Sequence, residues 1–146
     1  MTPKYYSKEW MDEVQNTLAN NSDYLAKAKS LTFKSQYLVT DCPGGVDKLV
    51  NWNLVEGRLV DYSIEGKPAP SEWRTSPTDG KTFFMKITGS YKTFQKLNRS
   101  ELTAIQAVMK KVYKIEGSMA QIMAKMGPIQ AMANVMATVP VEYEEV

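Results

Sequence analysis

The sequence predicts an α+β protein, a five-stranded, mainly antiparallel sheet covered on one face by helices. Two observations predict it. Apolar residues recur at helical spacing near the N-terminus, switch to alternation between residues 31 and 64, and return to helical spacing after residue 90. The alternating stretches follow one another through short turns, which join antiparallel neighbours, and most of the helical stretches lie outside them.

Each element has its own signal. Trp10, Val14 and Leu18 repeat every four residues, with Tyr6 and Met11 beside them and Lys8, Asp12, Glu13 and Gln15 opposite, an amphipathic helix. Asn20-Asn21-Ser22 ends it, and Ser22 is placed to cap a short second helix reaching Lys29. Over residues 31–40, Leu31, Phe33, Ser35, Tyr37 and Val39 share one face of a half-buried strand. The turn Cys42-Pro43-Gly44-Gly45 leads to a second strand with Val50, Trp52 and Leu54 on its apolar side. Glu56-Gly57 closes a hairpin onto a third, in which Val60, Tyr62 and Ile64 alternate with Asp61 and Ser63.

Residues 65–82 read as loop, and Phe83, Met85 and Ile87 as a fourth strand ended by Gly89. A helical turn over 91–97 precedes a longer helix capped by Ser100 and striped by Leu102, Ile105, Val108 and Met109. Tyr113 and Ile115 mark a fifth strand over 111–116. Ser118 and Gln121 form a capping box for the last helical segment. Gly127-Pro128 divides that segment, and Pro128 opens a further helix to about residue 138. The acidic tail, 142–146, is expected to fray.

With 146 residues, 43% hydrophobic and 23% charged, the chain is expected to form one domain over residues 1–146. Histidine is absent, which excludes imidazole-based triads, histidine general bases and His-ligated zinc. A single cysteine, Cys42, excludes an internal disulfide, a CxxC pair and a thiolate metal cage. Neither metal nor cofactor is expected. The net charge of +2 comes from 18 basic and 16 acidic residues that are interspersed, so no nucleic-acid partner is expected. The opening residues hold no apolar stretch and no run of 18 apolar residues follows, so a cytoplasmic protein is expected.

Few motifs carry chemistry. Gly80-Lys81-Thr82 matches the end of a phosphate-binding loop, but Thr75 stands where its first glycine belongs and a strand follows in place of a helix. Cys42 sits beside Asp41, whose charge disfavours a thiolate. Glu56, Asp61, Glu65, Asp79 and Glu116 fall in turns or on polar strand faces. Methionine stands out: nine in the chain, with Met119, Met123, Met126, Met132 and Met136 close together near the C-terminus. With Ile122, Ile129, Ala133 and Val135 they make helices that are apolar over much of their circumference. Such helices are either ordinary core or the wall of an adaptable cavity, since methionine is unbranched and polarizable.

Three stretches, in order, resemble the sterol carrier protein type 2 domain. They are Phe83-Phe84-Met85-Lys86-Ile87-Thr88-Gly89 with the aromatic-rich run 90–94, the helix over 101–110, and Tyr113-Lys114-Ile115-Glu116-Gly117-Ser118-Met119 before an apolar ending. The resemblance implies an apolar cavity between the sheet and the C-terminal helices, holding a fatty acyl chain, acyl-CoA or sterol-like molecule without catalysis. It implies a ligand site near Phe83, Met85, Ile87, Met119, Ile122, Met123, Met126 and Met132, with Trp52 at its edge. A lipid or fatty acid would be the partner, with transient membrane or enzyme contact. The loop with Trp73 lies outside the resemblance.

Two other functions stay open on the residues. The apolar C-terminal helices could dock an accessory subunit onto a lipid-metabolising enzyme. Alternatively, Glu56 or Asp61 could pair with another carboxylate in a hydrolase or isomerase.

Overall fold

A computed structural model of the chain describes residues 2–145. The order is α1 (Lys8–Ala19), α2 (Ser22–Lys27), β1 (Phe33–Cys42), β2 (Val46–Val55), β3 (Arg58–Pro68) and a 3-10 turn, Glu72–Arg74. Then come β4 (Met85–Ser90), α3 (Tyr91–Asn98), α4 (Ala104–Met109), β5 (Lys114–Gly117), α5 (Met119–Ala124) and α6 (Met126–Met136). The five strands form one sheet in the order β3-β2-β1-β4-β5. Every neighbouring pair is antiparallel except β1 and β4, which run parallel. The sheet is therefore mixed but mostly antiparallel.

The parallel pair follows from the connection after β3. That strand runs parallel to β1, so a chain leaving its end must recross the sheet before β4 can pair with β1. Residues 69–84 make the crossing as a strap over the face that the helices leave free. Asp47 on β2, fully buried, holds it. Its carboxylate accepts from the Ser71 N–H at 3.0 Å, the Ser71 hydroxyl at 2.8 Å and Arg74 Nε at 2.8 Å. Burial opposes the charge, but the Arg74 guanidinium and the Ser71 donors outweigh it and keep the carboxyl far below the usual carboxylate range. Lys86 on β4 donates to the Trp73 carbonyl at 2.9 Å from the same face.

The other face is the core. β-Register sets Tyr37 beside Val50 and Ile87, and Ser35 beside Trp52 and Met85. Trp10, Met11, Val14 and Leu18 of α1 are buried in the same cluster, as are Ile129, Met132, Val135 and Met136 of α6.

The differences from the sequence expectation are local. Asn21, not Ser22, caps α2 by accepting the Tyr24 N–H. Cys42 ends β1 as a buried residue, since the strand starts and stops two residues later than its pattern suggests. A bulge in β3 lets Leu54 face Leu59 while Asn53 faces Asp61, so Val60 is the extra residue and turns outward. The third strand also continues to Pro68 into the expected loop. α3 extends to Asn98, and Ser100 takes a left-handed conformation at φ 60°, so it caps nothing. Thr103 caps α4 instead, in a full capping box with Gln106. The tail does not fray over 142–145. The Tyr5 N–H donates to the Glu142 carbonyl, the Glu144 N–H donates to the Tyr91 hydroxyl, and Tyr143 packs on the core. Val146 lies outside the described residues.

Candidate functional site

Aromatic residues dominate the centre of the helix-covered face. The Tyr37 ring lies 5.6 Å from Phe94 at 24°, and Phe94 lies 6.4 Å from Tyr113 at 9°, so the three rings stack. Gly89 makes room for them. A Cβ there would stand 3.1 Å from the Tyr113 Cβ and 3.3 Å from Phe94 Cε2.

Between this stack and α6 is a cavity of about 70 Å³. Tyr37 and Ile87 come to it from the sheet, and Tyr5 and Tyr6 from the N-terminal segment. Phe94, Leu97 and Asn98 form one stripe of α3, and Ile129, Met132, Ala133 and Met136 one stripe of α6. Ala104 and Tyr113 complete the wall. No charged side chain lines it.

Three of the polar side chains at the wall are paired. The Tyr5 hydroxyl donates to the Phe94 carbonyl at 2.9 Å, and Tyr113 to the Ala104 carbonyl at 3.3 Å. Asn98 Nδ2 donates to the Tyr143 hydroxyl at 2.7 Å, with the Arg99 guanidinium 4.6 Å over the Tyr143 ring. The Tyr37 hydroxyl has no hydrogen-bond partner among the described residues. Burial raises the Tyr37 pKa well above that of a free phenol and pushes Tyr113 up to about 12. These phenols stay protonated at neutral pH and offer hydrogen bonds, not bases.

Ligand pockets usually measure roughly 300–1,000 Å³, and a water occupies about 30 Å³ of liquid. A cavity of about 70 Å³ therefore admits an acyl chain only when its walls move. Met132 and Met136 belong to the most adaptable wall.

Of the residues expected at a ligand site, the structure brings Ile87 and Met132 together at this cavity. Met85, Ile122 and Trp52 are buried in the surrounding core, and Met126 packs half-buried against it. Phe83 precedes β4 and faces a shallow groove with Asn53, Asp61 and Thr82 on the other side of the sheet. Met119 and Met123, on α5, remain about 40% exposed. Tyr5, Tyr6, Phe94, Leu97 and Tyr113 are wall residues that the methionine pattern does not indicate. The available signal is the recurrence of aromatics at Tyr5, Tyr6, Tyr37, Phe94 and Tyr113, weaker than the methionine cluster because aromatics fill any core.

Glu56, Asp61, Glu65, Asp79 and Glu116 are all absent from the cavity wall. The Cys42 thiol donates to the Val39 carbonyl, and burial pushes its pKa up to about 11, the reverse of what a nucleophile needs. Among the described residues, no three acidic or cysteine side chains converge as metal ligands, and no helix is long and apolar enough to cross a membrane.

No protein-family model and no curated protein matches the chain. Solved structures do. A conserved protein of Thermus thermophilus, described as possibly a sterol carrier protein, superposes with a TM-score of 0.73 at 15% identity. The match covers 95% of this chain and 92% of that one. A crystal structure of sterol carrier protein 2 gives a TM-score of 0.70 at 14% identity, over 93% and 99% of the two chains. The apo form of sterol carrier protein 2 from Yarrowia lipolytica gives 0.52 at 16% identity, over 87% and 88%. The chain has the sterol carrier protein 2 fold.

Proposed function

We propose that the chain binds a hydrophobic ligand, a fatty acyl chain, acyl-CoA or sterol-like molecule, and carries it without changing it chemically. One observation supports this above all: an uncharged cavity walled by aromatic and methionine side chains. Burying an ion there would cost far more than burying an alkyl or ring system, so the enclosed part of the ligand is neutral and any charged headgroup stays outside. Of the expected set, Ile87 and Met132 touch the ligand, alongside Tyr37, Phe94, Tyr113 and Met136. Helix α6, which carries Met126, Met132 and Met136, yields to admit it.

Native mass spectrometry of the purified chain, followed by organic extraction, tests this. An adduct of several hundred daltons that extracts as a neutral lipid, fatty acid or thioester is expected. A bare 16.5 kDa ion that takes up nothing from a mixed lipid pool would overturn it.

A second reading, an accessory subunit docking by its C-terminal helices, draws on the exposed Met119 and Met123. The fold of UbiJ-SCP2, named as a ubiquinone synthesis protein, is compatible with it, with a TM-score of 0.50 at 8% identity over 88% and 85% of the chains. It is the lesser reading because Ile129, Met132, Val135 and Met136 of α6 are already buried.

A further inference from the structure

The corner between α4 and β5 combines three features that the cavity does not use. First, it is apolar and exposed: Met109 is 73% exposed, and Ile105 and Val112 stand out beside it. Ile105 and Met109 are one turn apart on the outer side of α4, while Ala104 and Ala107 on the same helix are buried. Second, it is basic. Residues 102–115 contain Lys110, Lys111 and Lys114 and no acidic side chain. Widened to 102–128, the stretch gains Lys125 and Glu116 and carries net +3, so the rest of the chain is net −1.

The third feature is the backbone. Val112 N–H donates to the Ala107 carbonyl and Lys111 N–H to the Val108 carbonyl, both at 3.2 Å, which closes α4 in a Schellman motif. Lys111 occupies its left-handed position at φ 53°, where glycine fits with least strain. A lysine thus stands in a glycine position two residues beyond Met109, the most exposed methionine among the described residues.

We propose that this corner docks on an anionic lipid surface, with Met109 and Val112 entering the headgroup boundary and Lys110 and Lys111 contacting lipid phosphates. Apolar side chains flanked by lysines fit that interface, because the bilayer offers hydrocarbon directly beneath negative charge. An acidic protein surface would satisfy the lysines but leave Met109 in water. Ala104 and Tyr113 line the cavity from the inner side of the same segment, so docking brings the cavity wall to the membrane. The docking stands independently of what the cavity carries.

Cosedimentation with vesicles of phosphatidylcholine, with and without phosphatidylglycerol, tests it on the full chain. Binding to the anionic vesicles alone is expected, weakening as salt is raised. Lys110→Gln with Lys111→Gln should reduce affinity about 30-fold, from about fivefold per lysine at an anionic surface. Met109→Ser should reduce it with the charge intact. Lys111→Gly is the sharpest variant. It should weaken vesicle binding while leaving the unfolding temperature equal or higher, which a purely structural lysine would not do. Absence of binding by the parent chain, or equal binding by the double variant, overturns the proposal. So does a concentration-dependent dimer, dispersed by Met109→Ser, in a chain that ignores vesicles, which would assign the corner to a second copy.

Discussion

Replacing Ala133 by leucine would fill the cavity from α6 and separate a ligand site from a packing defect. Unfilled core space costs about 24 cal/mol per Å³, so a void of about 70 Å³ amounts to at most about 1.7 kcal/mol. Overpacking strain from the added carbons costs about 1–3 kcal/mol. The two nearly cancel, and the variant should stay within about 1.5 kcal/mol of the parent, or about 3–6 °C in a chain of this length. Ligand uptake should nevertheless fall by more than about tenfold, an effect above 1.4 kcal/mol, because the leucine occupies the space the ligand must open. The assay is titration with a fluorescent neutral hydrophobe such as a pyrene alcohol, next to thermal unfolding of the same samples. Met119→Leu, outside the wall, is the control and should bind as the parent does. A folded Ala133→Leu protein with undiminished uptake would refute the placement of the site. A loss of several kcal/mol would show that the space cannot accept carbon atoms at all.

Three further outcomes concern the scaffold. Asp47→Ala should cost about 2–3 kcal/mol, since it removes charged hydrogen bonds and strands the buried Ser71 N–H, and proteolysis should then cut the freed strap over residues 69–76. The same carboxyl sets an acid limit. Its folded pKa is depressed, so its stabilisation is complete above the unfolded value of about 3.9 and is lost as pH falls below that, a loss that acid titration should not find in Asp47→Asn. Gly117→Ala should destabilise by roughly 1–3 kcal/mol, because φ is 140° and the new Cβ would meet the Phe84 carbonyl oxygen at 2.7 Å. Urea unfolding with an unchanged slope would show it.

The elements that the sequence marked clearly are those whose periodicity is carried by large residues. Trp10, Val14 and Leu18 are buried on one side of α1, and Val50, Trp52 and Leu54 on one side of β2. Where the reading missed, a local competitor decided. Val60 looked inward by alternation, yet one extra residue in β3 reverses the count. Ser100 looked like a cap, yet Thr103 three residues before Gln106 makes the better box. The cavity was less legible, because methionine stripes are as common in packed cores as in pockets. Met132 lines the space while Met119 and Met123 face solvent, and nothing in their spacing distinguishes them.

By itself the sequence determined the two periodicities, the α+β class they impose and the exclusion of chemistry that needs imidazole or paired thiols, since each is local or a matter of composition. Tertiary structure alone decided that β4 joins β1 in parallel, that a strap pinned by Asp47 closes the second face, and that the C-terminal tail is tied to the first residues. It also decided which aromatics surround the cavity. Those outcomes depend on contacts between residues far apart in the chain, Tyr5 with Phe94 or Asn98 with Tyr143, which no local pattern encodes.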